Sequence, residues 1–232
     1  MAKNRKKKNT AKKAAEKAAA EQQRTERNKK RALFIGAVVC AVIVCVLLGI
    51  LLFGPHREKV ERYAVIDIAD YGRITVELRP DAAPETVANF VKLSKEGFYD
   101  GLTFHRIMAG FMMQGGDPEG NGSGGSGTNI KGEFSKNGVN NPIKHTRGVI
   151  SMARAQAYNS ASSQFFIMHA DYPSLDGSYA AFGEVIDGMD VVDAVCESAR
   201  PIDNNGTIPA DQQPVIRSIT VYMDNPLTAP QG

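Results

Sequence analysis

The sequence predicts one transmembrane helix followed by a mainly β domain, an antiparallel barrel or sandwich with two helices. Three observations carry this. The 23-residue run 32–54 (ALFIGAVVCAVIVCVLLGILLFG) holds no charged residue. Short β-rich runs then recur between glycine-rich turns. Only two segments have helical periodicity, too few for the strand–helix alternation of a parallel sheet.

The N-terminal segment, residues 1–31, carries 13 Lys/Arg against three Glu, a net charge of +10. The apolar run behind it is long enough to cross a hydrocarbon core of roughly 30 Å. A cleaved signal peptide would have a core of about 7–15 residues ending at a small-residue site. Here the core is longer and PHREKVER follows, so the expectation is an uncleaved anchor. Val39 and Val44 precede Cys40 and Cys45, which argues against lipidation. The basic flank then sets the N-terminus in the cytoplasm and residues 55–232 outside the cell, as a single-pass surface protein. The basic arm reads as a topology signal, with contact to anionic lipid or RNA as the alternative. Residues 55–232 hold 15 Lys/Arg and 22 Asp/Glu, a net of −7. Two of the three cysteines lie in the span, which leaves Cys196 without a disulfide partner, so the outer domain must hold together by its core.

Residues 55–62 form a short polar linker, and the folded domain runs over 63–224. Tyr63–Ala69 and Arg73–Arg79 alternate around Asp70-Tyr71-Gly72, a β-hairpin with Ile74, Val76 and Leu78 on one face. A helix follows: Pro84 suits its first turn, Val87, Phe90 and Val91 share a face, and Gly97 suits its end. Further β-rich runs are 148–153, 163–169, 180–186 and 216–223, with a second short helix around 189–196. Residues 225–232 are read as a frayed tail.

Candidate chemistry is sparse. Gly120–Gly125 (GNGSGG) satisfies G-x-G-x-x-G, but SGTNIKGEF after it opens no helix, so it is a turn. Ser160, Ser162 and Ser163 near His169 lack the elbow of a nucleophilic serine. His56, His105, His145 and His169 show no metal-ligand spacing. What remains is FHRIMAGFMMQGGD (104–117), with Arg106 and Gln114 among Phe111, Met112 and Met113, and SQFFIMH (163–169), with Gln164 and Phe166 on one strand face. An apolar pocket with a few fixed donors suits a small aliphatic ring. Residue types alone leave this reading and ordinary core packing both open.

Longer motifs decide between them. ELRPDAAPETVANFVKLSKEGFYDGLTFHRI, GFMMQGGDPEGNGSGG, KHTRGVISMARA, SQFFIMH and LDGSYAAFGEVIDGMDVVDAV stand in an order that resembles the cyclophilin family of peptidyl-prolyl isomerases, from about Tyr63 to Met223. The resemblance implies an eight-stranded antiparallel β-barrel capped by two α-helices. It implies catalysis of rotation about X-Pro bonds with no cofactor or metal; with the anchor, the expected substrates are exported or cell-surface proteins, and the chain is expected to be a monomer with no nucleic-acid partner. It makes Arg106 catalytic with Phe111 and Gln114. Met112, Phe166, Leu175 and Tyr179 would line the proline pocket, with His105 and Gln164 in the same site. Ala153, Arg154 and Ala155 would form the edge that accepts substrate as an extended strand. Four departures stand out: Ala109 where Pro is common, Arg154 where Asn is, Ser174 where Trp is, and Tyr179 where His is. Tyr179 keeps a hydrogen-bond donor, so activity is expected to survive, while Ser174 is expected to weaken cyclosporin. A proline-binding module without turnover, and a scaffold working through its basic arm, are the competing functions.

Overall fold

The computed structural model describes residues 24–27, 29, 33–36, 39, 42–45 and 60–228. The chain divides into two compact units, 1–58 and 59–232. In the first, the described residues are helical. No helix among the described residues is long and apolar enough to cross a membrane. The anticipated span over 32–54 falls largely outside them, as do most of the basic segment and the linker.

The second unit is the β domain. Its strands are β1 (Tyr63–Ile68), β2 (Gly72–Leu78), β3 (Thr103–Met108), β4 (Met112–Asp117), β5 (Val149–Met152), β6 (Phe165–Met168), β7 (Ala180–Asp187) and β8 (Ile216–Tyr222). Its helices are α1 (Pro84–Lys95) and α2 (Met189–Ser198). All strand pairings are antiparallel, in the order β3-β4-β6-β5-β7-β2-β1-β8. The sheet curls until its end strands meet: Thr103 bridges Val215, Gly101 N–H donates to the Ile216 carbonyl at 2.8 Å, and Ile216 N–H to that of Leu102 at 2.7 Å. Of the two architectures the alternation allowed, the chain adopts the curled single sheet.

Strand alternation builds the core. Ala64, Ile66 and Ile68 of β1 and Ile74, Val76 and Leu78 of β2 point inward and are essentially inaccessible. α1 packs against β7 and β8, α2 against β2 and β4. Phe90 of α1 meets the rings of Tyr99, Phe165 and Phe182 at centroid distances of 5.4, 5.6 and 5.2 Å, a cluster worth more than its buried area alone. α1 has Pro84 in its first turn but no side-chain cap of its own. Glu133, from a distant loop, supplies one: its carboxylate accepts from Thr86 N at 2.8 Å, Thr86 Oγ1 at 2.7 Å and Glu85 N at 3.1 Å. An anion at a helix N-terminus satisfies orphan donors and complements the dipole. Of the expected tail 225–232, residues 225–228 are described and make a turn closed by Thr228 N–H on the Asn225 carbonyl at 3.1 Å, and the rest lies outside the described residues.

Candidate active site

The hairpin β3–β4 sets the site. Arg106 pairs with Gln114 and Phe104 with Gly115, and the ladder skips His105. This bulge breaks the alternation, as bulges beside functional sites do. Phe104 stays in the core while Arg106, two residues on, is half-exposed on the outer face. On that face Met112, Phe166 and Met168 form a second apolar layer with Val149 and Ala181, against which Phe111, Leu175 and Tyr179 pack.

Arg106 is held from three sides. Its Nε donates to the Asn205 carbonyl at 2.7 Å, its Nη1 to Gln114 Oε1 at 3.3 Å, and its Cζ lies 5.7 Å from the Phe111 ring centroid. Asn205 is itself fixed, because Asp203 Oδ1 accepts from the N–H groups of Asn205 and Thr207 at 3.0 Å each. Ile107 N–H donates to the Gly206 carbonyl at 2.8 Å. Burial draws the Arg106 pKa below the ordinary arginine value, yet an arginine remains protonated in proteins. Beside the guanidinium opens a cavity of about 170 Å³ lined by Arg106, Phe111, Met112, Gln114, Ala153, Arg154, Phe166, Leu175 and Tyr179. Nine of the residues expected at the site therefore converge on one small pocket, with apolar side chains on one wall and a fixed cationic donor at its edge.

The sequence model of the family "Cyclophilin type peptidyl-prolyl cis-trans isomerase/CLD" matches residues 63–221. The chain belongs to the cyclophilin-type peptidyl-prolyl cis-trans isomerases. Its reaction is rotation about X-Pro peptide bonds. It is similar to peptidyl-prolyl cis-trans isomerase B of Bacillus subtilis (strain 168), 50% identical over 123 residues that make up 53% of this chain and 82% of that protein. It is also similar to the peptidyl-prolyl cis-trans isomerase of Helicobacter pylori (strain ATCC 700392 / 26695), 47% identical over 135 residues, 57% of this chain and 79% of that one. Among solved structures, a Cryptosporidium parvum cyclophilin-type isomerase crystallised in the presence of the dipeptide Ala-Pro aligns with a TM-score of 0.61 and 32% identity. That alignment covers 70% of this chain and 99% of the other.

The remaining expected residues lie elsewhere. Gln164 accepts from Gln114 Nε2 at 2.9 Å and donates to the Gly124 carbonyl at 2.8 Å. With Ala155 it lines a neighbouring cavity of about 400 Å³, walled by Gly122–Gly125, that shares Gln114, Ala153 and Arg154 with the first. His105 lines neither cavity. Its ring is buried toward Gly122, neither ring nitrogen has a hydrogen-bond partner among the described residues, and burial lowers its pKa. The bulge that turns Arg106 outward explains this placement. Arg154, the unusual residue of its segment, stacks over Tyr179, Phe134 and Tyr158 at 4.8, 5.2 and 5.2 Å and donates to the Ser178 carbonyl at 2.9 Å.

Two supports escaped sequence reasoning. Asn205 acts through its main-chain carbonyl, so only the Asp-x-Asn-Gly-Thr turn pattern could have signalled it. Under Phe166 lies a Ser–His–Asp arrangement, with His145 Nε2 3.0 Å from Ser151 Oγ and His145 Nδ1 3.2 Å from Asp176 Oδ1. Ser151 is fully buried, so the trio is a floor and not a nucleophile. The His145 ring stacks on Phe166 at a centroid distance of 6.1 Å.

Proposed function

We propose that Arg106 carries the isomerisation, and that the chain performs it from a membrane anchor on exported or cell-surface polypeptides. Planar amide resonance sets a barrier of about 18–20 kcal/mol. When the X-Pro bond twists, the nitrogen lone pair localises and becomes an acceptor. A donor fixed there stabilises the twisted state over both planar ones, which is the condition for acceleration. Arginine suits the task because its planar fork can be anchored at Nε while an Nη faces the substrate, with no proton exchanged.

The observation that carries the proposal is that anchoring: Nε spent on the Asn205 carbonyl, and Nη1 on the pocket side beside Gln114. Phe111, Met112, Phe166 and Leu175 grip the prolyl ring, and Tyr179 adds a hydroxyl at the same wall. Ala153–Ala155 offers an edge for extended substrate, and Gln164 and Gln114 receive its backbone. The Ala-Pro dipeptide used with the Cryptosporidium relative is the kind of ligand this cavity would take. Exposed Ser174 lacks a large ring at the rim, so cyclosporin would bind weakly. The anchor reading rests on the uncharged run 32–54 and on the exposure of its described apolar residues, Leu33 at 81% and Phe34 at 71% among them. Uncatalysed rotation takes tens of seconds, slow enough to limit folding outside the membrane.

The test is cis/trans isomerisation of an X-Pro peptide by the full chain, native against Arg106→Ala. Turnover in the first with a loss of about 10²–10³-fold in the second is expected. Equal rates would reject the role of Arg106, and peptide binding without turnover in the native chain would favour the binding-module reading. Retention in alkali-washed membranes, with residues 60–228 cleavable by external protease, tests the anchor. A chain recovered in the soluble fraction would reject it.

A further inference from the structure

The turn that presents Phe111 to the prolyl ring has a weak frame. Phe111 N–H closes it on the Met108 carbonyl at 3.0 Å, and Gly110 stands third with φ +78°. Such turns favour proline in second place, where it presets φ. This chain has Ala109 there, exposed, and an added Gly110 Cβ would touch nothing within 4 Å. Only one N–H is satisfied inside the turn. That of Gly110 points away and meets His169 Nδ1 at 2.8 Å.

The geometry points to His169 as the positioning residue that holds this turn, and thereby Phe111, against the pocket; the inference rests on the isomerase reading of that pocket. An Nδ1 that accepts from Gly110 carries no proton, so the ring hydrogen sits on Nε2, 3.1 Å from Asp193 Oδ1 of α2. Arg147 locks the other side of the arrangement. Its guanidinium reaches Asp193 Oδ2 at 2.7 Å and the His169 carbonyl at 2.8 Å. The same segment holds Phe111 twice more: His169 N–H donates to the Phe111 carbonyl at 2.9 Å, and the Tyr172 ring lies 4.5 Å from the Phe111 ring. Phe111 thus contacts both the Tyr172 ring and the Arg106 guanidinium, and the Gly110 amide just before it is pinned by a histidine whose Nε2 lies beside the Asp193 carboxylate. The role goes to the side chain because the Gly110 amide has no other hydrogen-bond partner among the described residues.

The test compares His169→Ala with His169→Asn in the full chain, reading hydrogen exchange at the Gly110 amide, kcat/KM on an X-Pro peptide, and unfolding in urea. Asn Oδ1 overlies the place of Nδ1 and can accept from Gly110, although it leaves Asp193. We expect the Ala variant to exchange Gly110 at least about tenfold faster. Its kcat/KM should fall about tenfold, since small misplacements near the reacting bond are amplified, and Asn should restore both to within about threefold. Native exchange in the Ala variant, or an Asn variant as impaired as Ala, overturns the inference. Should His169→Ala not fold, His169→Gln replaces it: its oxygen reaches toward the Nε2 side, so Gly110 exchange rises in Gln but not in Asn, and equal exchange in the two overturns the proposal. Arg106→Ala is the separate control, losing turnover while Gly110 exchange stays native, so failure of the clamp and failure of the arginine mechanism read on different observables.

Discussion

Replacing Gly206 by Ala tests the role proposed for Arg106 without touching that side chain. Gly206 has φ +87°, and a Cβ built there would run into the Met108 side chain and stand 2.8 Å from the Ile107 carbonyl oxygen. The left-handed conformation alone costs a non-glycine residue about 1–2 kcal/mol. The overlap with main chain cannot be relieved by a side-chain rotation, so the loop must move away from β3. That movement withdraws the neighbouring Asn205 carbonyl from Arg106 Nε, now 2.7 Å away. A displacement of about 1 Å at a reacting group can cost on the order of 100-fold. We therefore expect kcat/KM to fall about 10–100-fold, or about 1.4–2.7 kcal/mol of barrier, with stability down by about 1–3 kcal/mol. Isomerisation of an X-Pro peptide below the unfolding transition, alongside urea titration, measures both. A variant that loses stability but keeps kcat/KM within twofold would refute the idea that the Asn205 carbonyl orients the guanidinium.

Two further outcomes concern the scaffold. Glu133→Ala leaves the Thr86 and Glu85 amides at the start of α1 without their anion and should cost about 1.5–3 kcal/mol in urea unfolding, with kcat/KM unchanged. A loss of activity in step with stability would show that α1 and the site are coupled. Stability should also fall on acidification: burial depresses the pKa values of His105 and His145 in the fold, so below the ordinary histidine value of about 6.5 the unfolded chain binds more protons. Their contribution is present above that value and is lost as pH drops through it toward the folded pKa values, and urea midpoints between pH 8 and 5 would read it. A flat profile over that window would contradict the burial of both rings as neutral groups.

How much of this was legible in the sequence depended on what each segment buries. β1 and β2 were readable because one face is core and the other wet, as the inward Ala64, Ile66 and Ile68 show. α1 was readable from Pro84 and the Val87–Phe90–Val91 stripe. β3 and β4 were opaque to periodicity. MMQGGD is buried at five of six positions, and the bulge at His105 breaks the alternation in TFHRIM. The pocket was legible through its motifs, since Arg106, Phe111, Gln114 and Phe166 line it with their side chains. The motif reading also named His105, whose ring lies toward Gly122 and along neither cavity, since a sequence does not show which way a bulge turns its residues. Asn205 and Glu133 escaped for a different reason: one works through a carbonyl, signalled only by its turn pattern, and the other caps a helix 47 residues away.

The most direct test separates binding from rotation on the protein. Exchange spectroscopy of an X-Pro peptide yields the isomerisation rate of the bound peptide and its dissociation constant independently, in the native chain and in Arg106→Ala. If the guanidinium acts on the twisted state, the bound-state rate falls about 10²–10³-fold while the dissociation constant shifts by no more than about fivefold. Weakened binding with an undiminished bound-state rate would make Arg106 an anchor for substrate and leave the rotation to be explained by other groups.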